Sequence, residues 1–369
     1  MCSLCMFTKR NKKLLIIFIL FIITTSSLYV LISCQKSVKK TWIRSWQSTS
    51  PLLEARSGAG AAGFGHRLYI AGGASIEKGF LNSVEWTTIK PDGQLETWQK
   101  GQPLTVPRGF LALVVANGFL YAIGGANGEN GIHLLNTVEH AQIVETGGLG
   151  PWTPVSPMTT PRRGPAALVH QGYLYAIGGY NGIFLRNLER AQILSNGDLG
   201  KWEVVNSLLT TDRYIHGATL NGDYLYVVGG HIQAVGGGKE STEWTQIKSD
   251  GQFEPWRLAP PLLFARFLAA VAASGKYLFV LGGYNGQYMT SVERSEIQSD
   301  GSLGPWSSTT PLNNPKEGCA AVSVDGRVYL MGGSNAGVYL RDVEVAWANQ
   351  AGELGYWASL SPPKPQPQP

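Results

Sequence analysis

Short apolar strands ending in paired glycines recur six times along the chain. They are RLYIA before Gly72-Gly73, FLYAI before Gly124-Gly125, YLYAI before Gly178-Gly179, YLYVV before Gly229-Gly230, YLFVL before Gly282-Gly283 and RVYLM before Gly332-Gly333. Successive pairs lie 52, 54, 51, 53 and 50 residues apart. After each pair comes a β-like run carrying one acid, Glu85, Glu139, Glu189, Glu243, Glu293 or Glu344. A turn of pattern G-x-L-x-x-W follows, ending at Trp98, Trp152, Trp202, Trp256, Trp306 or Trp357. A period of about fifty residues with strand-type patterning predicts a repeat architecture in which each unit is one supersecondary element.

The tightest regularity lies upstream. A basic residue stands 16 positions before the first glycine of every pair: Arg56, Arg108, Arg162, Arg213, Arg266 and Lys316. Four residues further on comes Gly60, Ala112, Ala166, Gly217, Ala270 or Ala320, the small side chains an innermost strand needs where sheets crowd an axis. Each unit therefore reads as four antiparallel strands, a to d. A glycine-containing turn such as Asn117-Gly118 or Asp325-Gly326 joins a to b. Strand b ends in the glycines, c carries the acid and d the tryptophan.

These units resemble the Kelch repeat over residues 41–361. The resemblance implies an all-β fold, a six-bladed β-propeller of four-stranded antiparallel blades around a channel. Closure has two readings. TWIRSWQSTSPL, from Thr41 to Leu52, looks like a further d strand with Trp46 in the tryptophan position, one period before Trp98. It would complete the last blade beside Val343–Ala346 and displace ELGYWASL; in the other reading Trp357 closes its own blade. The first ties the chain ends together and protects an edge, and is favoured. Three segments result: a leader over 1–34, the propeller over 35–361 and a proline-rich tail, expected disordered, over 362–369.

The leader has a basic start and an apolar run, LLIIFILFIITTSSLYVLIS, from Leu14 to Ser33. Two readings stay open. One is a transmembrane signal anchor just long enough to span a bilayer core. The other is a lipoprotein signal in which Leu31-Ile32-Ser33-Cys34 resembles a lipobox and Cys34 is lipidated. Either predicts an exported, membrane-anchored protein of the bacterial type, with the propeller on the extracytoplasmic side. The formal charge of +5 comes mostly from this segment: without Lys9, Arg10, Lys12 and Lys13 the chain holds 26 basic and 25 acidic residues. A neutral body argues against nucleic acid as a partner. Cys319 is alone in the body, so no internal disulfide is expected there.

Repetition separates scaffold from site. Since a, b and c share one rim, each basic residue is expected to lie across the bare glycines towards the strand c acid, as a bidentate pair where it is an arginine. The rival is a ring of cations at the channel mouth. The tryptophans read as packing between blades. The Asp-Gly turns at Asp92, Asp250 and Asp300 read as tight hairpins rather than calcium loops.

What varies is the b–c loops and the position after each basic residue. The loops contribute Phe80, His133, Tyr180, Phe184, His231, Tyr284, Tyr288 and Tyr339. The positions after the basic residue are Ser57, Gly109, Arg163, Tyr214, Phe267 and Glu317. Arg163, Tyr180, Phe184, Tyr214, His231, Phe267, Tyr284 and Tyr288 form the candidate ligand-binding set, since rim aromatics and an arginine are binding chemistry held on loops by a rigid scaffold. The partner expected is a protein or glycan, the propeller being monomeric. No cofactor, metal set or catalytic residue is predicted: the six histidines are scattered, with no metal-ligand spacing. The alternative is an enzyme of the sialic-acid mutarotase type, which the Kelch propeller resemblance also admits. It would draw an acid/base pair from the mouth, such as Glu317 or a strand c acid with Arg163.

Overall fold

The computed structural model describes residues 40–231 and 237–359. The leader, Cys34 and the proline-rich tail lie outside the described residues. Residues Arg44–Tyr356 form one compact unit. It contains six antiparallel blades in the strand order the repeats imply. Blade 1 runs Gly60–Phe64, Arg67–Ala71, Val84–Thr88 and Gln99–Lys100 from the channel outwards. Blade 3 runs Ala166–His170, Tyr173–Ile177, Leu185–Gln192 and Glu203–Arg213, its outer pair offset by register shifts. The a–b turns close as expected: Asn117 and Gly118 have φ of 49° and 78°, Asp325 and Gly326 of 50° and 74°, the paired positive values a type I′ turn requires.

Six apolar clusters hold the ring together, one at each junction between adjacent blades. The middle aromatic of strand b is central to each: Tyr69, Tyr121, Tyr175, Tyr226, Phe279 and Tyr329 are all fully buried. Four of the tyrosines also reach the next blade with their hydroxyls. Tyr69, Tyr121, Tyr226 and Tyr329 donate to the carbonyls of Gly147, Gly197, Gly301 and Gly93 at 2.7–2.9 Å. The strand d tryptophans work backwards. Trp98, Trp152 and Trp202 donate from Nε1 to the carbonyls of Ser50, Gln102 and Ser156 on the preceding blade, at 2.8–2.9 Å.

The same rule shows how the ring closes. Gln47–Ser48 pairs with strand c of blade 6 through Gln47↔Val345 and Ser48↔Glu344. Trp46 is buried in the cluster between blades 5 and 6 and donates to the Thr310 carbonyl of blade 5 at 3.3 Å. It fills the tryptophan slot of blade 6. Leu354–Ser359 also pairs with strand c, but only at its far end, through Trp347↔Gly355 and Ala348↔Leu354. Trp357 is 56% exposed. Residues 40–43 and 357–359 belong to a small unit of their own, in which Trp42 and Trp357 meet edge-on with ring centroids 5.2 Å apart.

Candidate functional site

Strand a starts at one rim, b returns to it and c departs from it, so the basic residues, the paired glycines, the b–c loops and the d–a connections share one face. Just under that face the six basic residues are buried, each paired with the acid of its own blade. Arg56 meets Glu85 at 2.6 Å, Arg108 meets Glu139 at 2.8 Å and Arg162 meets Glu189 at 2.8 Å. Arg213 meets Glu243 at 2.7 Å, Arg266 meets Glu293 at 2.5 Å and Lys316 meets Glu344 at 2.9 Å.

The expected bidentate fork is not what forms. Each arginine gives its acid one N–H and directs others to the first glycine's carbonyl and to the residue two before the acid, while the Nε of Arg56 and of Arg162 is buried without a partner among the described residues. That last position is Ser83, Thr137, Asn187, Ser241 or Ser291, and Asp342 opposite Lys316. In five blades the acid's second oxygen takes a backbone N–H of the chain leading into the blade, from Leu53, Thr105, Thr159, Thr210 or Leu263, at 2.6–2.8 Å. The glycines serve the next blade: Gly73 and Gly125 donate to the carbonyls of Arg108 and Arg162 at 2.9 and 2.8 Å. A Cβ on Gly124, at φ 58°, would lie 2.7 Å from the Arg162 carbonyl. The basic residues do not line the mouth as free charges.

Above this layer, the residue after each basic residue bridges to the residue after each glycine pair. The six bridges are Ser57↔Ala74, Gly109↔Ala126, Arg163↔Tyr180, Tyr214↔His231, Phe267↔Tyr284 and Glu317↔Ser334. They divide the mouth into two unlike arcs. Blades 6, 1 and 2 present small or polar side chains, whereas blades 3 to 5 present aromatic rings and an arginine.

In that second arc the rings touch in sequence. Tyr180, Phe184 and Tyr214 form a triangle with centroids 5.6–5.7 Å apart. Phe184 meets His231 at 5.4 Å, His231 meets Phe267 at 5.1 Å, Phe267 meets Tyr284 at 5.5 Å and Tyr284 meets Tyr288 at 5.2 Å. All eight candidate residues are thus brought to one crescent, each half-buried. Such edge-to-face contacts stiffen a surface before anything binds it.

Arg163 closes the crescent at blade 3. Its guanidinium lies over the Phe110 ring at 4.4 Å and over Tyr214 at 5.8 Å. Its only hydrogen bond among the described residues is a long one, from Nη1 to the Asn130 carbonyl at 3.4 Å, and its Nε is buried without a partner. Burial pushes the Tyr214 hydroxyl above its ordinary pKa; Arg163 pulls it down and Tyr180 pushes it up. In blade 6, burial raises the Glu317 carboxyl above its usual range, opposed by a hydrogen bond with Ser334. Of the other loop residues, Phe80 covers Gly109 and Gly131 and lies in the small-residue arc. His133 is exposed, and Tyr339 pairs with Ser334 in a two-residue hairpin.

Phe110 is the residue the sequence pattern did not single out. It belongs to a position two after each basic residue: Gly58, Phe110, Gly164, Ile215, Leu268 and Gly318, all with φ between 48° and 63°. Their backbones run head to tail round the mouth. Gly164 donates to Phe110, Phe110 to Gly58, Gly58 to Gly318, Gly318 to Leu268 and Leu268 to Ile215, at 2.7–3.1 Å. Glycine in three copies was the available signal. Phe110 adopts the same left-handed backbone and lays its ring over Gly58, where an added Cβ would meet it at 3.2 Å.

Four-stranded blades with small inner residues and this ion-pair layer define the class, a six-bladed β-propeller, and its repeats are similar to the Kelch motif. The Kelch motif model matches residues 161–194, 265–294 and 315–345. Kelch-like protein 36 of Mus musculus is 26% identical over 247 residues, which is 65% of this chain and 38% of that one. Kelch-like protein 33 of Homo sapiens is 28% identical over 118 residues, 32% of this chain and 20% of that one. The chain thus spans between a fifth and two-fifths of the length of these curated relatives. A solved structure titled "Structure of YjhT" superposes with a TM-score of 0.69 at 14% identity, covering 83% of this chain and 98% of that one. At that identity the likeness is one of fold.

Proposed function

We propose that this propeller is a binding module that takes a protein or glycan ligand on the crescent of blades 3 to 5. It is exported and held at a membrane by its N-terminal segment. The observation that carries the reading is the unbroken chain of rings from Tyr180 to Tyr288 ending at Arg163, a cation stacked on aromatics with an unused buried N–H. Aromatic and arginine anchors at a stiff rim are the composition of binding hot spots. The matching test is a glycan array and a protein-partner screen with the full chain. Arg163→Ala and Tyr214→Ala should abolish capture and leave the melting temperature unchanged. Loss of folding in both variants, or capture untouched by either, would remove the crescent from the reading. Tethering is tested on Cys34: mass analysis of the mature N-terminus distinguishes a lipidated cysteine from an uncleaved anchor.

A second reading, ring-opening of an acidic sugar, draws on Glu317. It sits on the same mouth as Arg163, three blades away, and burial holds its carboxyl towards the protonated form. A carboxyl shifted towards its protonated form opposite a cation is the pair such a reaction needs. Polarimetry on sialic acid separates the readings: mutarotation abolished by Glu317→Gln would make the mouth an active site.

A further inference from the structure

A hollow of about 710 Å³ lies away from the crescent, on the same face, where blades 6 and 1 meet at the closure. Two b–c hairpins frame it: Ala74–Ser75 with Gly79–Phe80 from blade 1, and Ser334–Asn335 with Val338–Tyr339 from blade 6. The blade 1 hairpin is pinned by an acid no other blade has. Glu54 stands two before the basic residue, where the others carry Val106, Thr160, Thr211, Phe264 and Asn314. Its oxygens take Lys78 Nζ and Ser83 Oγ, each at 2.6 Å, and Arg56 lies 3.6 Å away. Burial pushes the Glu54 carboxyl up, but these hydrogen bonds and charges outweigh it and hold it below its ordinary pKa. Lys78 and Glu54 therefore cancel, as Arg56 and Glu85 do beneath them.

Three aliphatic side chains remain in solvent while facing this one hollow: Ile76 is 67% exposed, Val338 59% and Leu53 40%. Side chains grouped this way mark a surface awaiting a partner. Two lining cations, Lys100 and Arg341, make no ion pair among the described residues, against one similarly unpaired acid, Glu77, beside Lys78. The volume lies within the range of small-molecule sites, which are mostly apolar with a few placed polar groups. We infer that this hollow is a second binding site, for a small organic anion: a carboxylate held by Lys100 and Arg341 on an apolar body packed against Ile76, Val338 and Tyr339. It is independent of any reading of the crescent.

The probe is 4-phenylbutyrate, with 4-phenylbutylamine and 4-phenylbutanol as carriers of the same body with a cationic or neutral head. Methyl NMR of the full chain should show saturable shifts at Ile76, Val84 and Val338 for the acid, and weaker binding of the other two. The double variant Lys100→Ala, Arg341→Ala should weaken the acid about fivefold or more, as expected for exposed charges, without moving the signals of blades 3 to 5. Arg163→Ala should leave the titration unchanged. Equal binding of acid and amine, shifts centred on the crescent, or no saturation would overturn the assignment.

Discussion

Arg162 gives one N–H to Glu189 Oε1 at 2.8 Å, while the other oxygen of Glu189 takes the Thr159 backbone N–H at 2.7 Å. The pair therefore does more than neutralise itself. It fastens the connection entering blade 3 to the third strand of that blade. Both side chains are fully buried, and a buried pair broken on one side leaves an unmet charge costing about 3–5 kcal/mol. Glu189→Gln, which keeps the shape and removes the charge, should lower the melting temperature by several degrees. Burial pushes the Glu189 carboxyl up, but hydrogen bonds from Thr159, Thr160 and Arg162 and the Arg162 charge bring it below its ordinary value of 4.5. Because the folded value is depressed, this stability is present above pH 4.5 and is lost as pH falls through the folded pKa. Thermal melts between pH 5 and 3 should show a steeper decline for the wild type than for Glu189→Gln. An unchanged melting temperature at neutral pH would mean the pair is not structural.

Between blades the corresponding element is the strand b tyrosine. The Tyr226 hydroxyl donates to the Gly301 carbonyl of the next blade at 2.7 Å, and burial drives its pKa upward. Tyr226→Phe removes that bond and keeps the packing, as Phe279 does natively in blade 5. The expected loss is about 1 kcal/mol in urea denaturation. A loss several times larger would mean the ring itself is misplaced.

How much of this was legible follows from what repeats in letters and what repeats only in backbone. Arg162, Gly178-Gly179 and Glu189 were readable as one unit because six copies hold them in register. The spacing from Trp46 to Trp98 likewise exposed the closing strand. The partner at Asn187 was also written there, since the position two before every strand c acid is Ser, Thr, Asn or Asp, but it carries no fixed identity to draw the eye. The N–H of Thr159 could not be read at all, because every residue at that position offers the same group. Phe110 was hidden for a third reason: a left-handed backbone is announced by glycine, and here the fold imposes it on phenylalanine. The crescent's members were found one by one as deviations from the repeat; their ring-to-ring continuity needs the blades in space. The hollow between blades 6 and 1 arises from two hairpins about 260 residues apart in the sequence.

His216 replaces the small or apolar residue three after the basic position, where Leu111 stands in blade 2. Its ring packs against Gly178 and its Cβ against Gly230, and neither ring nitrogen is in a well-formed hydrogen bond among the described residues. Burial, then the charges of Arg213 and Arg162, press its pKa from 6.5 down to about 3, weakly opposed by the Ile177 backbone. The unfolded chain thus takes up this proton first. Stability is intact above pH 6.5 and declines as pH falls towards the folded value. Between pH 7 and 5, above the window of Glu189, the loss should reach about 2 kcal/mol. His216→Leu should flatten that part of the profile; an identical slope in wild type and variant would assign the acid sensitivity elsewhere.

The closure makes its own prediction, because two tryptophans compete for one slot in the repeat. Trp46 is 3% exposed and reaches back to Thr310 of blade 5, as Trp202 reaches back to Ser156 of blade 2. Trp357 bears the G-x-L-x-x-W signature of four of the other five, Phe253 replacing the leucine in the fifth, but is 56% exposed. Burial decides the energetics: truncating a buried tryptophan costs about 3–5 kcal/mol, whereas an exposed one lacks most of that packing. Trp46→Ala should therefore destabilise the propeller by that amount and loosen blade 6 first, seen as faster hydrogen exchange at Val343–Ala348. Trp357→Ala should shift the denaturation midpoint by less than about 1 kcal/mol. The reverse order would mean that the last strand, not the first, holds the ring shut.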